Sequence, residues 1–257
     1  MVAKIVTANL NGIRSATKKG FWNWIQQSDF DFLCLQEVRA NIEDLPSESK
    51  IEGYYSYYTV AEKKGYSGVA LYSKVKPLSV SNEFGFLDTE GRFLKAEFDN
   101  FNLISIYVPS GTSGDQRQGI KYQFLDYFEQ ELRSYLKDNK PYIICGDFNI
   151  AHKQIDLKNW KANQDKSGFL PEERAWMDKV FNDIGFIDCF RVINQEEGQY
   201  TWWSARFPSA WINNAGWRID YEIASPELKN SIKNVEIYKK ERFSDHAPVI
   251  IEYDLGM

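Results

Sequence analysis

Tyr142-Ile143-Ile144-Cys145-Gly146-Asp147-Phe148-Asn149 decides how this chain folds. Four apolar residues in succession make a strand with no polar face, and a strand of that kind is buried on both sides. The run then breaks into Gly, Asp and Asn, so oxygen-bearing side chains stand where the strand leaves the core. Phe32-Leu33-Cys34-Leu35 repeats the pattern and ends in Gln36-Glu37. Ala3 to Leu10 runs into Asn9 and Asn11, and Ser244-Asp245-His246 leads into the apolar run from Ala247. Four strand ends therefore carry acid, amide or imidazole groups.

Working outward, strand-like runs recur at Tyr54 to Thr59, Gly68 to Tyr72, Phe93 to Phe98, Leu103 to Val108, Ile219 to Ala224 and Val249 to Tyr253. Three helical patterns intervene. Phe21 to Gln27 is short. Gln116 to Lys137 places Ile120, Phe124, Tyr127, Phe128 and Leu132 near a 3.6-residue period. Pro171 to Asp183 opens on Pro171-Glu172-Glu173, a proline and acids at the positive end of the helix dipole. Phe93 to Phe98 and Leu103 to Val108 lie close enough to form a hairpin, so a mixed α/β sandwich fits better than a purely parallel sheet. No Pro/Gly/Ser linker interrupts the chain, which predicts one domain over residues 1–257.

The chain has 257 residues, 43% apolar and 26% charged, the composition of an ordinary globular protein with ample core. Its beginning lacks a charged segment and apolar stretch of the secretory kind, and no run approaches the length of a membrane span. Cys34, Cys145 and Cys189 each sit in apolar surroundings, which predicts reduced thiols and a cytoplasmic location. A net charge of −5 argues against a nucleic-acid partner. Local basic clusters such as Lys63-Lys64 and Lys239-Lys240-Arg242 can still give one positive face, although each alone reads first as solvated surface.

Residues i and i+2 of a strand share a face, so Asn9 with Asn11, and Asp147 with Asn149, are expected to point together. Oxygen donors converging at strand ends suit a hard cation, and magnesium takes one or two carboxylates with water and substrate phosphate. His152 and His246 are the only histidines, and no Cys/His array has zinc spacing. Neither a P-loop nor a GxSxG nucleophile motif is present. Taken singly, each strand-end residue reads first as a turn former or cap, and His246 reads also as a core histidine.

Six blocks carry a resemblance. Asn9-Leu10-Asn11-Gly12-Ile13-Arg14, Leu35-Gln36-Glu37, Gly91-Arg92-Phe93, Gly146-Asp147-Phe148-Asn149-Ile150-Ala151-His152, Gly216-Trp217-Arg218-Ile219-Asp220-Tyr221 and Ser244-Asp245-His246-Ala247-Pro248 occur in this order over nearly the whole chain. They resemble the exonuclease III family of apurinic/apyrimidinic (AP) endonucleases, within the endonuclease/exonuclease/phosphatase superfamily. The resemblance implies a four-layer α/β sandwich like that of pancreatic deoxyribonuclease (DNase I), two mixed β-sheets packed face to face and flanked by helices.

The roles it implies are these. Glu37 is the main ligand of a magnesium ion, with Asn9, Asn11, Asp147, Asn149, Asp245 and His246 around it and manganese able to substitute. Asp147 positions or deprotonates the attacking water, and Asn149 supports the water and the phosphate. His246 contacts a phosphate oxygen, oriented by Asp220. Tyr107 matches a phosphate-binding tyrosine. Arg14, Asn163 and Lys166 match DNA-contacting positions; Ala162 and Lys166 depart from the residues common there. Trp202, Trp217 and Ile219 match the apolar walls of an abasic-sugar pocket, and one of Trp202 and Trp203 is expected to face inward.

The implied reaction is incision 5′ to an abasic site in double-stranded DNA, leaving a 3′-hydroxyl and a 5′-deoxyribose phosphate, with 3′–5′ exonuclease or 3′-phosphodiesterase activity as companions. A monomer in the cytoplasm, at the nucleoid in a bacterium, and no membrane partner complete the expectation. Two readings compete: another phosphodiesterase or phosphatase of the superfamily, and a non-catalytic DNA-binding module on the same fold.

Overall fold

The computed structural model describes residues 2–256. The ends of the expected 1–257 unit, Met1 and Met257, lie outside the described residues. Two six-stranded mixed sheets form the centre. The first runs β11 (Ile232–Ile237), β12 (Val249–Asp254), β1 (Val2–Asn9), β2 (Phe32–Gln36), β4 (Val69–Ser73), β3 (Tyr55–Thr59). The second runs β5 (Ser79–Ser81), β6 (Phe93–Glu97), β7 (Asn102–Tyr107), β8 (Tyr142–Asp147), β10 (Asp220–Ala224), β9 (Ile187–Asp188). Each sheet has one parallel pair, β1 with β2 and β7 with β8, and the expected hairpin is β6–β7.

The apolar runs are apolar because both faces of their strands are covered. Phe32 and Cys34 of β2 enter the core between the sheets, with Ile143 and Cys145 of β8. Leu33 and Leu35 point the other way, onto Phe21, Trp22 and Ile25 of α2 (Phe21–Gln27), which follows the short α1 (Ile13–Lys18). Ile144 points outward onto Phe124, Phe128 and Leu132 of α3 (Asp115–Tyr135), beside Trp176 and Met177 of α4 (Pro171–Asp178). Period-two alternation thus splits each continuous run between two cores and yields four layers.

Three expectations are corrected. The third helix does not run regularly to Asp183: α4 stops at Asp178 and the chain continues as a wider π-type turn over Lys179–Ile184. Strands β5 and β9, like the helices α1, α5 (Cys189–Ile193) and α6 (Ser209–Ile212), are too short for periodicity to show them, and β11 mixes apolar and polar residues without a clean alternation. Asn11 and Asn149 are not strand residues. Strands β1 and β8 end at Asn9 and Asp147, and Asn11 (φ 45°), Glu37 (φ 50°) and Asn149 (φ 52°) all take the left-handed backbone conformation. They reach the site through tight turns, a conformation asparagine tolerates and glutamate pays about 1 kcal/mol or more to adopt.

Candidate active site

The carboxyl-side ends of the central strands of both sheets meet in one cleft. Asn9, at the end of β1, joins the sheets: its Nδ2 donates to Glu37 Oε1 at 2.8 Å and to Asp147 Oδ2 at 2.9 Å. Asn9 Oδ1 accepts from the Asn11 backbone N–H, and Asn11 Nδ2 donates to Asp245 Oδ1 at 2.8 Å. Asp147 Oδ1 accepts from the Asn149 backbone N–H at 2.8 Å, which closes the turn, and Asn149 Nδ2 donates to Val108 O at 2.9 Å. Asp245 is also held by Trp202 Nε1, at 3.1 Å from Oδ2.

Asp220 lies directly across the β8–β10 ladder from Asp147. Like charges so placed repel, and His246 relieves them: its Nδ1 is 2.9 Å from Asp220 Oδ2. Thr201 Oγ1 donates to the same Asp220 oxygen at 2.6 Å while accepting from the backbone N–H groups of Ile219 and Asp220. Burial opposes a charge on His246, but Asp220, with Asp147 and Asp245 nearby, raises its pKa to about 10, so the ring is an imidazolium at neutral pH. Burial, then the charges of Asp220 and Glu37, push Asp147 up to about 8, against the pull of His246. The Tyr107 phenol, buried beside Glu37 and Asp147, is pushed up and stays neutral.

The cleft has a volume of about 500 Å³. Trp202 and Trp217, edge to face at 6.3 Å, form an apolar wall with Ile219 beside the carboxylates. Trp203, by contrast, is fully buried, so of the tryptophan pair it is the inward member. Asn163 and Lys166 line the cleft, with Lys166 Nζ 3.1 Å from Asp165 Oδ2. Arg14 does not join them; it is exposed on α1, outside the cleft lining. A larger groove of about 780 Å³, beside Lys158, Trp160 and Glu197, holds none of the converging carboxylates.

The arrangement includes residues that sequence reasoning left without a role. Arg92 was visible only as part of a motif. Its guanidinium is buried, donates to Tyr107 O at 3.0 Å and lies 4.6 Å over the Tyr107 ring. Arg39 touches Glu37 Oε2, and Tyr66 and Arg117 line the cleft beyond it. Thr201 carried no signal, because a threonine in a loop is unremarkable until its register against Asp220 is known.

The donor set fits a divalent cation. Among the described residues, Glu37, Asp147 and His246 bring ligand atoms within 4.8 Å of one another. Glu37 Oε2 is buried and makes no hydrogen bond, its one charged contact being the Arg39 guanidinium at the cleft edge. Buried carboxylate oxygens with unused lone pairs, crowded with like charge, are the hard-donor environment that magnesium or manganese takes.

The family model described as Endonuclease/Exonuclease/phosphatase family matches residues 6–246. An exodeoxyribonuclease of Bacillus subtilis (strain 168) is 40% identical, covering 96% of this chain and 97% of the relative. A DNA-(apurinic or apyrimidinic site) endonuclease of Dictyostelium discoideum is 35% identical over 98% of this chain and 71% of its own length. Among solved structures, an AP endonuclease from Archaeoglobus fulgidus superposes with a TM-score of 0.88 at 27% identity, covering 98% of this chain and 99% of that one. A 3′ phosphatase from Neisseria, bound to a product DNA hairpin, superposes with a TM-score of 0.86 at 25% identity, covering 98% and 99%.

Fold and site together define a metal-dependent hydrolase built on two packed sheets. The chain belongs to the Endonuclease/Exonuclease/phosphatase family. No helix among the described residues is long and apolar enough to cross a membrane.

Proposed function

We propose that this chain is a DNA repair AP endonuclease of the exonuclease III type, a single catalytic domain that hydrolyses the phosphodiester 5′ to an abasic site in double-stranded DNA. The observation that carries the reading is the apolar wall of Trp202, Trp217 and Ile219 set against the Asn9–Glu37–Asp147 carboxylate centre. A sugar without a base presents an apolar ring edge and no hydrogen-bonding base. A cleft of this size, walled by two indoles, accepts such a sugar once it is turned out of the helix. A phosphoinositide headgroup, ringed with hydroxyls, has little apolar surface to set against that wall; a phosphocholine would place its quaternary ammonium over the indole faces, and the sphingomyelin arm of the experiment below separates the two readings.

Glu37, with Asn11 and Asp245 beside it and Asn9 bridging to Asp147, is the set that would hold magnesium. The bound cation would neutralise charge developing on the phosphate. Asp147 takes the proton of the attacking water in its ionised form, and its raised pKa makes that carboxylate a stronger base. The water oxygen bonds to phosphorus, the bond from phosphorus to the 3′-oxygen breaks, and the departing oxygen takes a proton from solvent to become the 3′-hydroxyl. Asn149 orients the water. The neutral Tyr107 phenol and the His246 imidazolium donate to non-bridging oxygens. With Nδ1 held on Asp220, the ring is left to present Nε2 to the phosphate. Lys166 and Asn163 contact the DNA backbone along the cleft.

The same site can act at 3′ ends, as the name of the Neisseria 3′ phosphatase describes for that protein. The deciding experiment is incision of a duplex oligonucleotide carrying one tetrahydrofuran abasic analogue, with magnesium and with EDTA. A single metal-dependent cut 5′ to the analogue, absent from the intact duplex, is expected. No cut, together with hydrolysis of a phosphoinositide or sphingomyelin, would overturn the reading, as would tight binding without turnover.

A further inference from the structure

An ion pair with no solvent exposure at all lies just behind the cleft. Lys121 of α3 and Glu173 of α4 are both fully buried, with Nζ and Oε1 2.6 Å apart. Burying two charges is costly, and a hydrophobic pair of similar volume is often as stable or more so. The pair therefore calls for a reason other than stability, and its remaining bonds supply one. Lys121 Nζ also donates to the backbone carbonyl of Asn149 at 2.8 Å. Glu173 Oε2 accepts from the backbone N–H of Gly168 at 2.6 Å and of Leu170 at 3.0 Å, and Gln118 Nε2 donates to Oε1 at 3.1 Å.

The circuit closes on itself. Gly168 O accepts from the Ala151 backbone N–H at 2.8 Å. One buried pair thus ties the turn that carries Asp147 and Asn149 to the end of the segment that carries Asn163 and Lys166. The junction is tightly built. Gly168 has φ +94°, and a Cβ there would stand 3.2 Å from Asn149 O and 3.2 Å from the Trp217 ring. Asn149 itself holds a left-handed backbone conformation, with no helix or strand hydrogen bonds to fix its carbonyl. Lys121 fixes it instead.

We infer that Lys121 and Glu173 are positioning residues: through the Asn149 carbonyl and the Gly168 amide they hold the catalytic turn and the cleft-lining segment as one unit, and this sets the rate of the chemical step rather than the affinity for DNA. The inference rests on the reading given under Proposed function. Only the wild-type control tests that reading; the variants test the inference.

The experiment compares wild type with Lys121→Met, Glu173→Gln and the double variant Lys121→Met/Glu173→Met, which leaves no unpaired charge. Three quantities are read: the unfolding midpoint, binding of the abasic-analogue duplex in EDTA, and single-turnover incision in magnesium well below each midpoint. Small misplacements at a reacting centre cost rates heavily. Incision by the double variant should fall roughly tenfold or more, with duplex affinity within about threefold, even where its midpoint recovers relative to Lys121→Met. A merely structural pair would let rate and midpoint recover together, and that result would overturn the inference. If the double variant does not fold, Glu173→Gln carries the test, since it keeps the size and one acceptor oxygen: a wild-type incision rate there would also overturn it. Failure of the wild type to incise would instead overturn the functional reading.

Discussion

Asp147 and Asp156 are equally buried, each about 1% exposed, and stand on the same stretch of chain in opposite electrostatic company. Asp156 Oδ1 accepts from Arg218 Nε at 2.8 Å and from Arg191 Nη2 at 2.8 Å, and its Oδ2 from the Lys153 backbone N–H. Arg218 also holds Asp188, with Nη2 at 2.6 Å. Burial works against the charge on Asp156, yet the two guanidiniums hold its pKa down at about 2. Burial of Asp147 is compounded by Asp220 and Glu37, and its pKa rises to about 8. Depth does not separate the two; neighbouring charge does. One carboxylate is finished structure. The other is left short of positive charge, the condition a cation and a proton-transfer role both require.

The comparison can be broken most severely at Asp147. Asp147→Asn should lower single-turnover incision by roughly 10²–10⁴-fold, the usual contribution of a positioned acid or base, while duplex binding in EDTA stays within about threefold. Incision within about tenfold of wild type would remove Asp147 from proton transfer.

At Asp156 the expected loss is in folding. Asp156→Ala leaves the buried Arg218 with Asp188 as its remaining carboxylate partner and should cost about 3–5 kcal/mol in urea unfolding. The pH dependence sharpens this. A carboxylate whose folded value lies below its unfolded value stabilises above the unfolded value and loses that contribution as pH falls through the folded one. The gap between wild type and Asp156→Asn should therefore be steady from pH 5 to 7 and shrink by about 2 kcal/mol between about pH 4 and pH 2. A gap that does not change with pH would show that the arginines do not hold the carboxylate down.

Glu37→Ala should raise the magnesium concentration for half-maximal incision by roughly tenfold or more; an unchanged metal titration would remove Glu37 from the cation. Asp147 also has a stability signature opposite to that of Asp156. Its folded value lies above its unfolded one, so its contribution is present below about pH 4 and lost as pH rises through about 8. In EDTA, Asp147→Asn should gain thermal stability over wild type across that window, and magnesium should narrow the difference. The smallest effect is expected at Lys166, which is exposed beside Asp165. Lys166→Asn should weaken duplex binding about uniformly across sequences and reduce the salt slope by about 1.

Much of this was legible from residue order. Helix α2 was readable to its ends, and β2 and β8 stand where their apolar runs stand, because burial on two faces leaves only apolar residues for selection to keep. The edge strand β11, Ile232-Lys233-Asn234-Val235-Glu236-Ile237, was not readable: only its first and last residues are buried, and its register shifts between Ile232 and Asn234. Asn11 and Asn149 line the cleft, but tight left-handed turns, not strand alternation, carry them there. Arg14 shares a motif with Asn9 and Asn11, but the helix that begins at Ile13 turns it to solvent.

The sequence by itself determined the chemical inventory: oxygen donors at the ends of buried strands, a His–Asp pair in the motifs, indoles in the segment before Asp220, and the order of the blocks. It determined these because local pattern and residue type are one-dimensional properties. Only the tertiary structure decided that Asn9 bridges Glu37 and Asp147, that Asp220 faces Asp147 across a ladder, and that Lys121 and Glu173 lock the catalytic turn from behind. Those facts, and the protonation states that follow from them, depend on distances of a few ångströms between residues far apart in the chain and on the exclusion of water around them. Neither quantity exists until the two sheets have packed.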